Sequence, residues 1–311
     1  MSHNLPQWVH ASPDVAAALA AGNPVVALES TLITHGLPRP VNIEIARQLE
    51  AQVSSAGAHP ATVAILEGEV RLGLSAEDLE RLALAPDARK VSRRDLGIVT
   101  AQGGNGGTTV SATMYIAQAA GVRVLATGGI GGVHRGTTGD ISADLPELAR
   151  TPMAVVCSGA KSILDLPRTL EWLETEGVPV IGWQTDEFPA FFSITSGLPV
   201  TGRVNDADQA AAILRSHWSL GQKGAVLICV PCPEDAAVPA AEVEAALDRA
   251  LSEATRAGVS GKEVTPFLLS RLVEHSGGAS LRANLALLRQ NARVAGEIAR
   301  AWLRWTRILE A

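Results

Sequence analysis

The chain has 311 residues, 47% hydrophobic and 19% charged, with a net charge of −6 at neutral pH. That balance is globular, and the length suffices to bury a large core. No basic run suits a nucleic-acid duplex, no apolar stretch reads as a membrane span, and three cysteines cannot build a disulfide framework. The N-terminal stretch MSHNLPQWVHASPD lacks the basic-then-apolar order of a secretory signal, so the expected location is the cytoplasm. The expected organisation is one domain over 1–311. Residues 1–12 read as a disordered arm and 235–311 as a helical region packed on the same domain.

Val25–Leu28 is apolar at every position, the pattern of a strand covered on both faces. It ends on Glu29, which sets a carboxylate at the mouth of a sheet, where α/β proteins bind ligands. Partial desolvation there disfavours the ionised form and suits the group to proton transfer. A strand-end glutamate bonded to its own loop is the alternative. Pro40–Gly57 predicts a helix with Val41, Ile45, Leu49 and Val53 on one face. Thr62–Leu66 predicts a strand, and EGEVRLG (67–73) a hairpin turn into a short one. The densest basic patch is ARKVSRRDL (88–96). Lys90, Arg93 and Arg94 are candidates to face a phosphate there, with Asp95 paired to an arginine; a solvated loop fits Arg93 and Arg94 as well.

Glycine fills four of the five positions in GGNGG (103–107), just before TTVSATM. A loop of this kind opening a helix predicts a phosphate cradle of backbone N–H groups, with Thr108 and Thr109 adding hydroxyls. It is neither a Walker loop nor a dinucleotide fingerprint. Val110–Ala120 predicts the helix and Arg123–Thr127 another buried strand. ATGGIGGVHRG (126–136) is then placed to deliver His134 and Arg135 to a pocket. Asp140 and Asp144, with Ser142 between them, suggest oxygen ligation of a hard divalent cation, Mg²⁺ or Mn²⁺. An Asx turn and a helix cap at Asp144 would use the same residues.

Ala154–Cys157 is the next buried strand, and CSGAKS turns out of it to Lys161. Only four lysines stand against twenty-two arginines. A lysine in a desolvated pocket becomes a nucleophilic amine able to form Schiff bases, whereas a surface lysine stays solvated. Leu166–Gly177 predicts a helix behind the N-cap Asp165. Strands follow at Val178–Gly182 and Ala225–Val230, with a helix at Ala207–Trp218 between them. QTDEFPAFFSITSG (184–197) holds three of the four phenylalanines, as a pocket wall, a subunit contact or a plug under the sheet. CVPC (229–232) lacks the ligands of a zinc site and reads as inert. Beyond Val230 come helices over 239–257, 263–275 and 278–307. The last carries Leu281, Leu285, Leu288, Ala292, Ala295, Ile298 and Trp302 as its apolar stripe. Strands alternating with helices predict an α/β sheet covered on both faces.

Taken in order, ALESTLITHGLP, PATVAILEGEVRLGL, KVSRRDL, NGGTTVSATM, ATGGIGGVHRG, DISADL, CSGAKSILDLP, QTDEFPAFF and GKEVTPFLLSRL resemble the pseudouridine-5′-phosphate glycosidase family, the indigoidine synthase A-like proteins, from about Asn23 to Ala301. The resemblance implies a three-layer α/β/α sandwich with a mixed sheet, a homotrimer and a divalent metal, usually Mn²⁺. It implies cleavage of the C–C glycosidic bond of pseudouridine 5′-phosphate to uracil and ribose 5-phosphate. By motif, Glu29 matches the proton donor, Lys161 the nucleophile and Asp140 the metal ligand, with water completing the metal's shell. Lys90, Val110, Ser142, Ala143 and Asp144 match substrate-binding positions, and Thr109, His134 and Asn284 join that pocket. The connection RGTTG (135–139), leading to Asp140, is shorter than the family pattern.

Two other readings stand beside this one. A related enzyme could form or cleave a C-glycoside with another aglycone. A non-catalytic sugar-phosphate binder could use the same fold, although it would need neither the carboxyl of Glu29 nor the amine of Lys161.

Overall fold

The computed structural model describes residues 5–135, 139–259 and 264–310, the last five of them in backbone only. Among the described residues eleven strands form one sheet. Its order is β1 (Val9–Ala11), β4 (Glu69–Leu72), β3 (His59–Leu66), β2 (Val25–Leu28), β7 (Val124–Ala126), β8 (Ala154–Cys157), β11 (Val226–Cys229), β9 (Val180–Trp183) and β10 (Gly202–Val204). β6 (Gly106–Thr108) pairs with β3 and carries β5 (Arg89–Val91) on its other edge. The sheet is mixed: β3 runs antiparallel to β4 and to β6, and all other pairs are parallel.

The central strands are buried at every position, as their unbroken apolar runs require. Each fully buried aliphatic side chain there contributes roughly 1.5–3 kcal/mol, so a charge at Leu125 or Ile228 would collapse the layer. Helices cover both faces. On one face α11 (Ala279–Glu310) lies over β2, β7 and β8, flanked by α2 (Val41–Ser55) and α8 (Ala207–Ser219). On the other, α5 (Val110–Ala119) packs on β2 and β3, next to α6 (Asp144–Arg150) and then α7 (Leu166–Thr175). The buried face of α11 is wider than the predicted stripe, because Ala283, Leu287, Asn291 and Val294 are also buried where the helix wedges between its neighbours. Gly296 makes that fit possible: a Cβ there would stand 2.6 Å from the Cβ of Ala56 on α2.

The predicted hairpin is present. Glu67 and Gly68 both have positive φ, 51° and 79°, the geometry of a two-residue turn whose twist matches the strands. The expectation of a disordered arm over 1–12 is corrected for the described residues 5–12. Val9–Ala11 pairs in parallel with Val70–Leu72, Val9 is buried, and Ser12 caps the helix α1 (Pro13–Ala20) by accepting the Val15 N–H. Three residues are too few for a periodic signal, and the strand forms because β4 offers it an edge. Residues 136–138 of the short connection before Asp140, and 260–263 with Lys262, lie outside the described residues.

One feature of β3 positions everything that follows. Its first half pairs with β2, Leu28 opposite Thr62, and its second half with β6, Ala64 opposite Gly107. β2 is parallel to β3 and β6 antiparallel, so the carboxyl ends of β2 and β6 meet head-on along one edge. Ser30 and Thr108 seal the junction. The Ser30 N–H donates to Thr108 O at 3.1 Å, the Thr108 N–H donates to Ser30 Oγ at 2.9 Å, and both hydroxyls donate to Val63 O.

Candidate active site

A cavity of about 740 Å³ opens at the carboxyl ends of β2, β6, β7 and β8. Ligands gather at such strand ends in α/β sheets. The eleven residues that the family resemblance placed in the site all line it.

Glu29 follows β2 directly. Its Oε2 accepts the Leu32 N–H at 3.1 Å, at the start of a π-helical turn over Leu32–Gly36. Burial pushes the carboxyl up from its ordinary value. The Lys161 ammonium pulls it back, the Leu32 N–H does likewise, and the Asp144 carboxylate adds to the rise. A carboxyl raised in this way is suited to proton transfer, next to an amine.

Lys161 leaves β8 through Ser158, Gly159 and Ala160. Gly159 has φ +80°, and a Cβ there would stand 2.3 Å from Pro189 O, so only glycine fits. The Lys161 N–H donates to Ile130 O at 3.1 Å, which ties this turn to the one after β7.

Lys90 enters from β5, beside Thr109 and Val110 at the amino end of α5. The glycines of 103–107 do not line the cavity, which corrects the phosphate-cradle expectation. Gly106 and Gly107 serve close packing instead: a Cβ on Gly107 would stand 2.2 Å from Thr34 Oγ1 and 2.8 Å from Ser30 O. Arg93 does not line the cavity either. It turns away to the fully buried Glu147, at 2.9 and 3.1 Å, and its guanidinium lies 4.2 Å from the Tyr115 ring centre. Arg89 and Arg94 join Lys90 at the cavity wall, and Asp95 caps the turn after Ser92.

His134 and Asp140 face each other, Nε2 to Oδ2, at 3.9 Å. Burial disfavours the imidazolium; Asp140 opposes that effect, and Lys90 and Lys161 reinforce it. Arg135, expected in the pocket, instead grips Glu244 with two 2.8 Å bonds and donates to Ser162 O and Leu164 O. The Asp144 carboxylate is tied to the backbone. Both its oxygens accept backbone donors, Ser111 N–H at 2.9 Å and Gly131 N–H at 2.8 Å. Ser142 and Ala143 line the wall before it, and Ser142 packs so tightly on Gly131 that a Cβ there would stand 2.1 Å from its Oγ. Among the described residues no cluster of three metal-ligating side chains exists. A half-exposed Asp140 carboxylate fits one kind of metal site, a hard divalent cation held at one point and otherwise hydrated.

The sequence signature described as "Indigoidine synthase A like protein" matches residues 14–301. The chain belongs to the indigoidine synthase A-like family. Two relatives named pseudouridine-5′-phosphate glycosidase come from Caldanaerobacter subterraneus subsp. tengcongensis and Rhodospirillum centenum. They are 53% and 60% identical to this chain over 94% of its length, and the matches cover 96% and 92% of theirs. Among solved structures, the prealnumycin C-glycosynthase AlnA in complex with ribulose 5-phosphate is similar with a TM-score of 0.90 and 43% identity. An indigoidine synthase A-like protein of Thermotoga maritima follows at 0.88 and 39%. Each match covers 97% of this chain and 99% of the other.

The rest of the cavity of this indigoidine synthase A-like protein was not legible as a site. His35 reaches it only because the π-helical turn after Glu29 swings it there, bonded through Nδ1 to Thr34 Oγ1 at 2.7 Å. Thr127 and Gly128 come from the turn after β7, Leu288 from α11 beside the expected Asn284, and Thr265, Pro266 and Leu269 from α10 (Val264–His275). Phe191 forms a wall while Phe188 and Phe192 are buried behind it, so the aromatic loop is both pocket lining and plug. Cys229 and Cys232 are buried, and burial pushes both thiols up, Cys232 to about 12, as befits an inert CVPC.

Proposed function

We propose that this chain is a C-glycosidase that converts pseudouridine 5′-phosphate and water reversibly to uracil and ribose 5-phosphate through an imine on Lys161. The observation that carries the reading is the placement of a buried carboxyl, Glu29, and the amine of Lys161 in one cavity, with burial raising the carboxyl above its ordinary value. The names of the most similar relatives support the substrate.

The bond to be broken joins two carbons, so protonating a leaving heteroatom is no help. As the sugar ring opens, its ring oxygen takes up a proton and Lys161 Nζ adds to C1′. Glu29 then gives its proton to C5 of uracil while the C1′–C5 bond breaks and the nitrogen lone pair closes to C1′=N. Nitrogen bears the positive charge better than the ring oxygen of an oxocarbenium ion would. Water adds to the iminium carbon, the amine leaves, and the aldehyde of ribose 5-phosphate remains. Lys90, beside Thr109 and Val110, holds the phosphate. His134, kept neutral by burial, donates to or accepts from a sugar hydroxyl. Ser142, Ala143 and Asn284 close the walls.

Asp140 would hold the divalent cation, Mn²⁺ or Mg²⁺, and that ion, when bound, would polarise a substrate oxygen. The same reading takes the working form as a cytoplasmic homotrimer; three buried, unpaired cysteines fit a reducing compartment. A second direction has its own support. The similarity to a C-glycosynthase makes bond formation, with uracil or another aglycone, the alternative use of the same residues. Uracil release from pseudouridine 5′-phosphate, followed with and without chelator, tests the reading; no release under either condition refutes it.

A further inference from the structure

We infer that Asn291 is a positioning residue for Lys161, held on the opposite side of the turn from the substrate; the inference rests on the nucleophile reading above. Asn291 lies mid-way along α11 and is fully buried among apolar neighbours, including Leu287, Leu288 and Ala295. An amide there is costly unless its hydrogen bonds are made. They are made to the turns that leave β7 and β8. Nδ2 donates to Thr127 O at 2.9 Å, to Ser158 Oγ at 3.1 Å and to Gly128 O at 3.3 Å. Oδ1 accepts from Ser158 Oγ at 3.3 Å.

These partners are the first residues past β7 and β8. From that base a backbone ladder climbs to the nucleophile. The Ser158 N–H donates to Gly128 O at 2.8 Å, the Ile130 N–H to Gly159 O at 3.0 Å, and the Lys161 N–H to Ile130 O at 3.1 Å. Phe191 closes the ladder from the far side, so near Gly129 that a Cβ there would stand 2.7 Å from its ring. Asn291 is therefore the polar pin beneath two strand ends, and the upper rung carries Lys161. Two turns earlier the same helix gives Asn284 to the cavity wall, so α11 registers the aglycone wall and the nucleophile turn together.

Removing the amide leaves Thr127 O and the Ser158 hydroxyl without their donor and lets the turns part. A shift of about 1 Å at the amine costs on the order of a hundredfold in rate. In Asn291→Ala the expected result is a fall in kcat of roughly ten- to hundredfold with KM held within about twofold, because the phosphate contacts are untouched. Borohydride labelling of Lys161 in the presence of ribose 5-phosphate should slow by the same factor. Ser158→Ala, which deletes one hydroxyl and no packing, should show the same split in weaker form and decides the matter if Asn291→Ala does not fold. A folded Asn291→Ala, or in its absence Ser158→Ala, that labels Lys161 at the wild-type rate overturns the inference, as does one that loses affinity alone. Wild-type labelling at another lysine would overturn the nucleophile reading and this inference together, and that outcome is distinct from the first.

Discussion

Asp144 accepts the Ser111 N–H at 2.9 Å, so the amino end of α5 already holds an anion, and it is the protein's own. The second oxygen takes the Gly131 N–H. One carboxylate thus joins the helix beside Lys90 to the turn after β7. Asp144→Ala strands two buried donors, and we expect a loss of roughly 3 kcal/mol in urea unfolding, with Asp144→Asn in between. A loss under about 1 kcal/mol for the alanine variant would contradict the clamp.

Glu29→Gln should lower kcat by roughly 10²–10⁴-fold, the range for a lost general acid. Its effect on stability has a definite sign. The folded carboxyl titrates above the ordinary 4.5, so below that value both states are protonated and nothing is lost. As pH rises the unfolded chain releases its proton first, and native stability falls until the folded carboxyl has also ionised. Glutamine carries no such penalty. The variant should therefore melt higher than wild type at pH 7 and lose that advantage near pH 4. Equal melting temperatures at both pH values would count against a buried, protonated Glu29.

Lys161→Arg keeps the charge but cannot form an imine, because a guanidinium does not deprotonate in a protein. Both it and Lys161→Ala should drop turnover by at least about 10³-fold while still binding substrate. Mass spectrometry after borohydride reduction with ribose 5-phosphate should place the adduct on Lys161. An active arginine variant would replace the nucleophile role with mere charge stabilisation.

Lys90→Ala should weaken phosphorylated substrate by about 1.5–3 kcal/mol and leave unphosphorylated pseudouridine almost unaffected. Equal losses with both compounds would take Lys90 away from the phosphate.

Chelation should abolish turnover and added Mn²⁺ restore it, with Asp140→Ala recovering only at elevated metal. Titration of Mn²⁺ by electron paramagnetic resonance gives an independent readout, since wild type should bind one ion and Asp140→Ala should not. Full activity in chelator would remove the metal from the reaction.

Reading outward from these residues shows what the sequence could carry. Glu29 and Lys161 were legible because one directly follows an unbroken apolar strand and the other lies in the short turn out of another such strand. Arg93 was expected to face a phosphate or solvent because its partner Glu147 lies far along the chain on α6. Asp144 was expected at the cavity and lines it, but its bonds to backbone N–H groups from two other segments were not legible, because no side-chain spacing reveals them. The GGNGG glycines looked like a ligand cradle, but glycine marks close approach of any kind, and here the approaching groups are Val91 at Gly106 and Ser30 and Thr34 at Gly107. β1, β5, β6 and β10 have three residues each, too short for periodicity to show.

The small strand β1 bears on how this protein can be handled. It sits at the margin of the sheet and satisfies the outer backbone groups of β4. Trimming the chain to Pro13 would leave Val70 and Leu72 on a bare ribbon of unpaired N–H and C=O groups, a template for edge-to-edge stacking between molecules. A shortened form designed for convenience would then be lost to aggregation rather than to any defect in its chemistry.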